Sequence, residues 1–116
     1  MKEFLLLFRN QVGEGSYSLS PEEMQSTMPK WQDWIGEVIQ NGNFVSSQPL
    51  DYEGKIVKNK GITDGPYVEA KEILAGYLIC KVATIEDAIE ISKKCPILDY
   101  EFGSIEVRPI TSLAIG

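Results

Sequence analysis

The chain contains no histidine. Histidine is the commonest general base near neutral pH and the commonest metal-ligating side chain. Its absence excludes Ser-His-Asp, Cys-His and His-Asp machinery, proximal-histidine haem ligation and the usual zinc sites. No metal or cofactor is expected. Cysteine is scarce too. Cys80 and Cys95 stand outside any CxxC pair and are expected to be reduced, half-buried thiols that pack as small hydrophobes. Cys95 falls at an expected helix end, where the dipole disfavours a thiolate, so it is a poor nucleophile. Positive charge is in short supply. Eleven Lys and Arg are scattered among seventeen Asp and Glu, for a net charge of −6. Without a basic footprint to displace counterions, neither nucleic acid nor an anionic membrane is an expected partner. No apolar run approaches the roughly 18 residues of a membrane helix. The stretch from Phe4 to Phe8 is too short for a signal-peptide core, so a cytoplasmic location is expected.

The 116 residues fit one domain with one core. Residues 3–9 (EFLLLFR) read as a strand with Phe4, Leu6 and Phe8 on one face and Leu5, Leu7 and Arg9 on the other. Both faces are largely apolar, which implies cover on both sides. After a polar loop at 10–19, Ser20-Pro21-Glu22-Glu23 is a helix start with a capping box. Met24, Met28, Trp31, Ile35 and Val38 recur at helical spacing, widened by Trp34 and Ile39, and Asn41-Gly42 ends the helix. Pro29 predicts a kink, or a short turn with the main helix starting there. Residues 43–50 read as a strand, Tyr52-Glu53-Gly54 as a turn, 55–60 as a weak edge strand and 61–66 as an irregular connection. A strongly apolar strand follows at 75–83. Thr84, with Asp87 as its box partner, starts a second helix that carries Ile85, Ala88, Ile89 and Ser92 towards one side, with Ile91 nearby, and stops at Cys95-Pro96. Residues 103–109 give the last strand.

With 55–60 set aside as a hairpin arm, the order is β-α-β-β-α-β. The expected fold is α+β and ferredoxin-like, with both helices on one face of the sheet. Leu5, Leu7, Tyr77 and Ile79 would then lie on a bare face. A second subunit's sheet is the economical cover, so a homodimer forming an α/β barrel is expected.

Asp64-Gly65-Pro66-Tyr67 is turn chemistry, followed closely by Glu69, Lys71 and Glu72. Asp64 reads either as a base or ligand anchor, or as an Asx-turn that shapes the loop. Asp64 and Glu69 are the candidate catalytic carboxylates, since neighbouring acids can raise one another's pKa. Lys71 could neutralise a substrate carboxylate or pair with Glu72 or Asp64. In the last strand Glu106 and Arg108 alternate with Ile105 and Val107. The charged pair should face the dimer side, where Arg9 and Lys81 also point. Arg108 suits bidentate capture of a carboxylate, the alternative being a cross-strand or inter-subunit ion pair. The candidate ligand-binding set is Asp64, Lys71, Glu72, Tyr77 and Arg108. Trp31 and Trp34 read as helix-packing residues.

The segment DGPYVEAKEILAGYLI resembles the signature of the YCII-related family in its DGPF subgroup, with Tyr67 in place of the usual Phe. LSPEEMQ and KWQDWIGEVIQNG resemble that family's first helix, SSQPLDYEGKIV its central hairpin and CPILDYEFGSIEVRPI its C-terminal strand. The resemblance delimits a domain at 1–110 and a tail at 111–116. It implies a ferredoxin-like fold and dimeric α/β barrels, and most such proteins have no assigned activity. Lyase- or dehydrohalogenase-type relatives are thought to use a His-Asp pair, which this chain cannot supply. Some members of the subgroup accompany sigma-factor genes, but nothing here resembles a sigma domain. The expected function is the binding of a small polar or anionic organic molecule in a dimer-associated cleft. The alternatives are a His-free lyase or isomerase with a carboxylate base, and a dimeric interaction module.

Overall fold

The computed structural model describes residues 1–11, 21–51, 54–65 and 72–111, with 11, 21–25, 63–65 and 72 described by backbone alone. Its central strand is β1, Lys2–Gln11. Alternation sets the two faces. Phe4, Leu6 and Phe8 are buried, while Leu5, Leu7 and Arg9 are half-buried on the opposite side. The chain continues through α1 (Pro21–Gln40), β2 (Phe44–Pro49), β3 (Gly54–Lys58), β4 (Gly61–Gly65), β5 (Glu72–Val82) and α2 (Ile85–Ser92). A short 3-10 helix, Pro96–Asp99, leads into β6, Ser104–Pro109. Four strands form one sheet in the order β2-β5-β1-β6, every neighbouring pair antiparallel. Strands β3 and β4 pair with each other in a separate two-stranded arm. Without that arm the order is β-α-β-β-α-β, an α+β arrangement compatible with a ferredoxin-like fold.

Both helices lie on the Phe4/Leu6/Phe8 side. Trp34 and Val38 of α1 and Ala88 of α2 join Leu78, Cys80 and Val82 of β5 in one buried cluster. Phe8 packs against Trp31 and Trp34 at ring-centroid distances of 5.3 and 5.7 Å. Trp34 Nε1 donates to the Ile91 carbonyl at 3.0 Å, which ties α1 to α2. The two tryptophans are packing residues, as their spacing predicts. Gly76 makes room for this arrangement. It stands opposite Phe8, and a Cβ there would lie 2.9 Å from the Gln48 carbonyl oxygen and 3.3 Å from Phe8 Cδ2. The C-terminus of α1 is closed by a Schellman motif. Gly42 takes φ 76°, its N–H donates to the Ile39 carbonyl, and the Asn43 N–H donates to that of Val38. At α2 the Thr84 hydroxyl accepts from the Asp87 N–H, and the Asp87 carboxylate accepts from the Thr84 N–H.

Several local expectations are corrected. Helix α1 runs across Pro29 without a break, so no separate turn precedes the main helix. The burial of Trp34 and Val38 holds the segment helical despite the missing N–H. Met28 and Ile39, placed on the apolar stripe by spacing, are exposed. On α2 it is Ile91 that packs against the core, and Ile89 is exposed. Residues 61–65, read as irregular, form β4, and Asp64 and Gly65 sit in that strand opposite Lys55 and Gly54. Strand β5 begins at Glu72, three residues earlier than expected. The capping box at Ser20 and the turn at Tyr52-Glu53 lie outside the described residues. No described helix is long and apolar enough to cross a membrane.

Candidate binding face

The sheet's second face carries no described helix. Register makes its rows explicit. Gln48, Tyr77, Leu7 and Glu106 lie side by side across β2, β5, β1 and β6, and Ser46, Ile79, Leu5 and Arg108 form the next row. Leu5, Leu7, Tyr77 and Ile79 are all half-buried. The centre of the face is therefore apolar, and its β6 margin is charged. Alternation along β1 puts Arg9 on the same face, opposite Ser104 of β6 and, past a one-residue shift in β5, Leu74.

Glu106 is shared by two arginines. Arg9 Nη2 donates to Glu106 Oε1 at 3.2 Å, and Arg108 Nε lies 3.7 Å from Glu106 Oε2. Arg9 reaches diagonally across from β1, while Arg108 stands two residues along β6. The triad holds two positive charges and one negative, so among the described residues an excess cation remains on an apolar surface of a protein whose net charge is −6. Arg108 keeps most of its side chain in solvent, 66% exposed, so its guanidinium is open to an incoming group.

Of the sequence-predicted ligand set, Tyr77 and Arg108 lie on this face but not side by side. They are two strands and one row apart, about 12 Å between backbones by ordinary sheet spacing. Asp64 belongs to the arm and Glu72 opens β5, paired with Gln11 two residues beyond Arg9. The side chains of Asp64 and Glu72 are outside the described set, as are Glu69 and Lys71 entirely. Arg9 and Leu7 were missed as site residues. Strand alternation places both on the face of Tyr77, which is the signal that finds them.

A second concavity, about 370 Å3, lies on the helix side between α1 and the 3-10 segment. Its cations are already matched. Lys30 pairs with Asp99 at 3.4 Å, Lys94 with Glu37 at 3.1 Å and Lys93 with Glu90 at 2.9 Å. It offers an anionic ligand no excess positive charge, and the sheet face is the stronger candidate. Cys95 lines this hollow, only 2% exposed, and burial pushes its thiol pKa up to about 12, with Asp99 adding to the rise. Cys80 is raised by burial as well. Both thiols are free, buried and poor nucleophiles, as expected.

Among the described residues no group of three or more Cys, Asp or Glu is placed to hold a metal ion. No curated protein matches the chain. The YCII-related domain matches residues 4–114, nearly the whole length, and the chain belongs to that family.

Proposed function

We propose that this is a DGPF-type YCII-related protein whose homodimer binds a small anionic organic molecule against the open face of the sheet. The carrying observation is the Arg9–Glu106–Arg108 triad, which among the described residues leaves one positive charge uncompensated beside Leu5 and Leu7. An arginine fork matches a carboxylate in geometry and charge. Leu5, Leu7 and Ile79 suit the hydrocarbon part of such a ligand, and the Tyr77 hydroxyl supplies a polar contact. The DGP segment leads into β5 at Glu72, at the arginine end of the face. Its Asp64, Lys71 and Glu72 then border the ligand. A second sheet stacked on this face turns the open surface into a cleft and lowers its dielectric, which strengthens the arginine contact.

A thermal-shift series tests the reading. Small aliphatic and aromatic carboxylates are compared with their uncharged amides. A ligand at 100 times its Kd stabilises the fold by about 2.7 kcal/mol. The carboxylates are expected to raise Tm and the amides are not, with the gain abolished in Arg9→Gln and Arg108→Gln. The proposal fails if no anion stabilises the protein, or if the gain persists in both variants.

A further inference from the structure

The β3–β4 arm is poorly supported by its own chain. An isolated two-stranded hairpin is marginally stable in water, and this one pairs with no other described strand. Val57 and Ile62 stand directly opposite each other on it. They are 72% and 67% exposed, the most exposed large apolar side chains among the described residues apart from Met1. The arm also departs from the chain's charge balance. Residues 54–65 hold Lys55, Lys58 and Lys60 against one acid, Asp64, which leaves eight basic residues against sixteen acidic ones elsewhere. An apolar pair ringed by lysines fits an acidic partner, and the remainder of this chain is one.

Area points the same way. Four strands of 6, 11, 10 and 6 residues, about 4.8 Å apart at about 3.3 Å per residue, give a flat footprint of about 500 Å2. A stable interface usually covers about 800 Å2 on each partner. Sheet pairing alone falls short. The arm is inserted in the chain between β2 and β5 and belongs to a separate sheet, so any contact it makes adds area to that of the four paired strands.

We infer that the β3–β4 arm clasps a second copy of this chain, seating the Val57–Ile62 pair on it and turning the arm lysines towards its acidic surface. This rests on the sheet-to-sheet dimer proposed above.

The full-length chain carrying Val57→Cys is labelled with a polarity-sensitive fluorophore. Cys80 and Cys95 are buried with raised pKa values, so unsubstituted protein serves as the unlabelled control. Emission is expected to be blue-shifted in the dimer. It should move to the red on dilution, or when Leu5→Glu separates the sheets. In parallel, Val57→Ser/Ile62→Ser should raise the dimer Kd by about tenfold or more, with the far-ultraviolet dichroism unchanged. The triple variant K55E/K58E/K60E should weaken the dimer and reverse the salt dependence of its Kd, so that added salt tightens the variant by screening the new repulsion. If label emission is the same in dimer and separated monomer, and the arm variants dimerise like the unsubstituted chain, the clasp is wrong while the sheet pairing stands. A chain that is monomeric at every concentration overturns both.

Discussion

At the scale of single residues, space decides more than conformational freedom. Gly76 does not need a positive φ, since its role is to leave a gap. The Gln48 carbonyl and the Phe8 ring occupy the volume a Cβ would take. The Phe8 ring is in turn fixed by Trp31 and Trp34, which contact each other at 5.9 Å. Two of the three obstructing groups are backbone, Gln48 O and Pro49 Cα, and cannot rotate aside. Gly76→Ala should therefore push β2 from β5 or displace Phe8. Overpacking of this kind costs about 1–3 kcal/mol. Urea unfolding followed by tryptophan fluorescence is the measurement, and a midpoint equal to that of the unsubstituted chain would show that the sheet yields freely. The glycine-aromatic pair that opens the apolar part of β5 thus has a physical reading. The glycine admits Phe8 on the helix side, and the next residue, Tyr77, faces the open side.

Elements were legible in the sequence where a local signal and the global packing agree. Thr84 and Asp87 announce the start of α2, and the reciprocal cap is present. Thr84→Ala removes the hydroxyl acceptor for the Asp87 N–H and should cost about 1 kcal/mol. Thr84→Ser should retain most of that stability, and a thermal melt that ranks the two variants equally would remove the cap as the cause. The alternation of β1 gives its phase directly, with Leu6 buried and Leu7 on the open side. The hidden parts are those that neighbours impose. The segment Gly61–Gly65 has two glycines and an aspartate, weak strand formers, and is a strand because β3 pairs with it. Pro29 argues against helix locally, yet the aromatic packing of the following turns overrides it. Ile89 and Ile91 both suit an apolar stripe, and the carbonyl of Ile91 is the one Trp34 reaches. The candidate face was legible from Leu7, Tyr77 and Arg108 by alternation alone. The sharing of Glu106 between Arg9 and Arg108 depends on the register of β6 against β1, which no single-strand pattern contains.

At the scale of the molecule, the described fold is thin. Its shortest extent is 20 Å, the depth of one sheet and one helix layer at about 10 Å per layer. One side of the sheet is closed by α1 and α2, and the other presents Leu5, Leu7, Tyr77 and Ile79. Covering about 500 Å2 of such a face contributes up to about 12 kcal/mol at about 25 cal/mol per Å2, before association costs. The homodimer proposed above would cover it, and neighbouring residues of β1 test that proposal from opposite sides. Leu6 is fully buried, and Leu6→Glu places an unpaired carboxylate in the core, so the chain should unfold. Leu5 lies between Ile79 and Arg108 on the open face. Leu5→Glu sets its new charge opposite a guanidinium, so the monomer should tolerate it while a facing sheet should not. Leu7→Glu is less clean, because Leu7 stands opposite Glu106 and the like charges would strain the monomer itself. Light scattering should give about 26 kDa for the unsubstituted protein, twice the 13.0 kDa chain, and the single-chain mass for Leu5→Glu with its far-ultraviolet dichroism retained. The Leu5→Glu chain should also melt lower and lose the concentration dependence of its Tm, since the dimer stabilises by mass action. A stable 13.0 kDa species from the unsubstituted chain at micromolar concentration would sink the pairing. Anion binding would then have to be sought on the Arg9–Glu106–Arg108 surface of a single subunit, open to water and correspondingly weak.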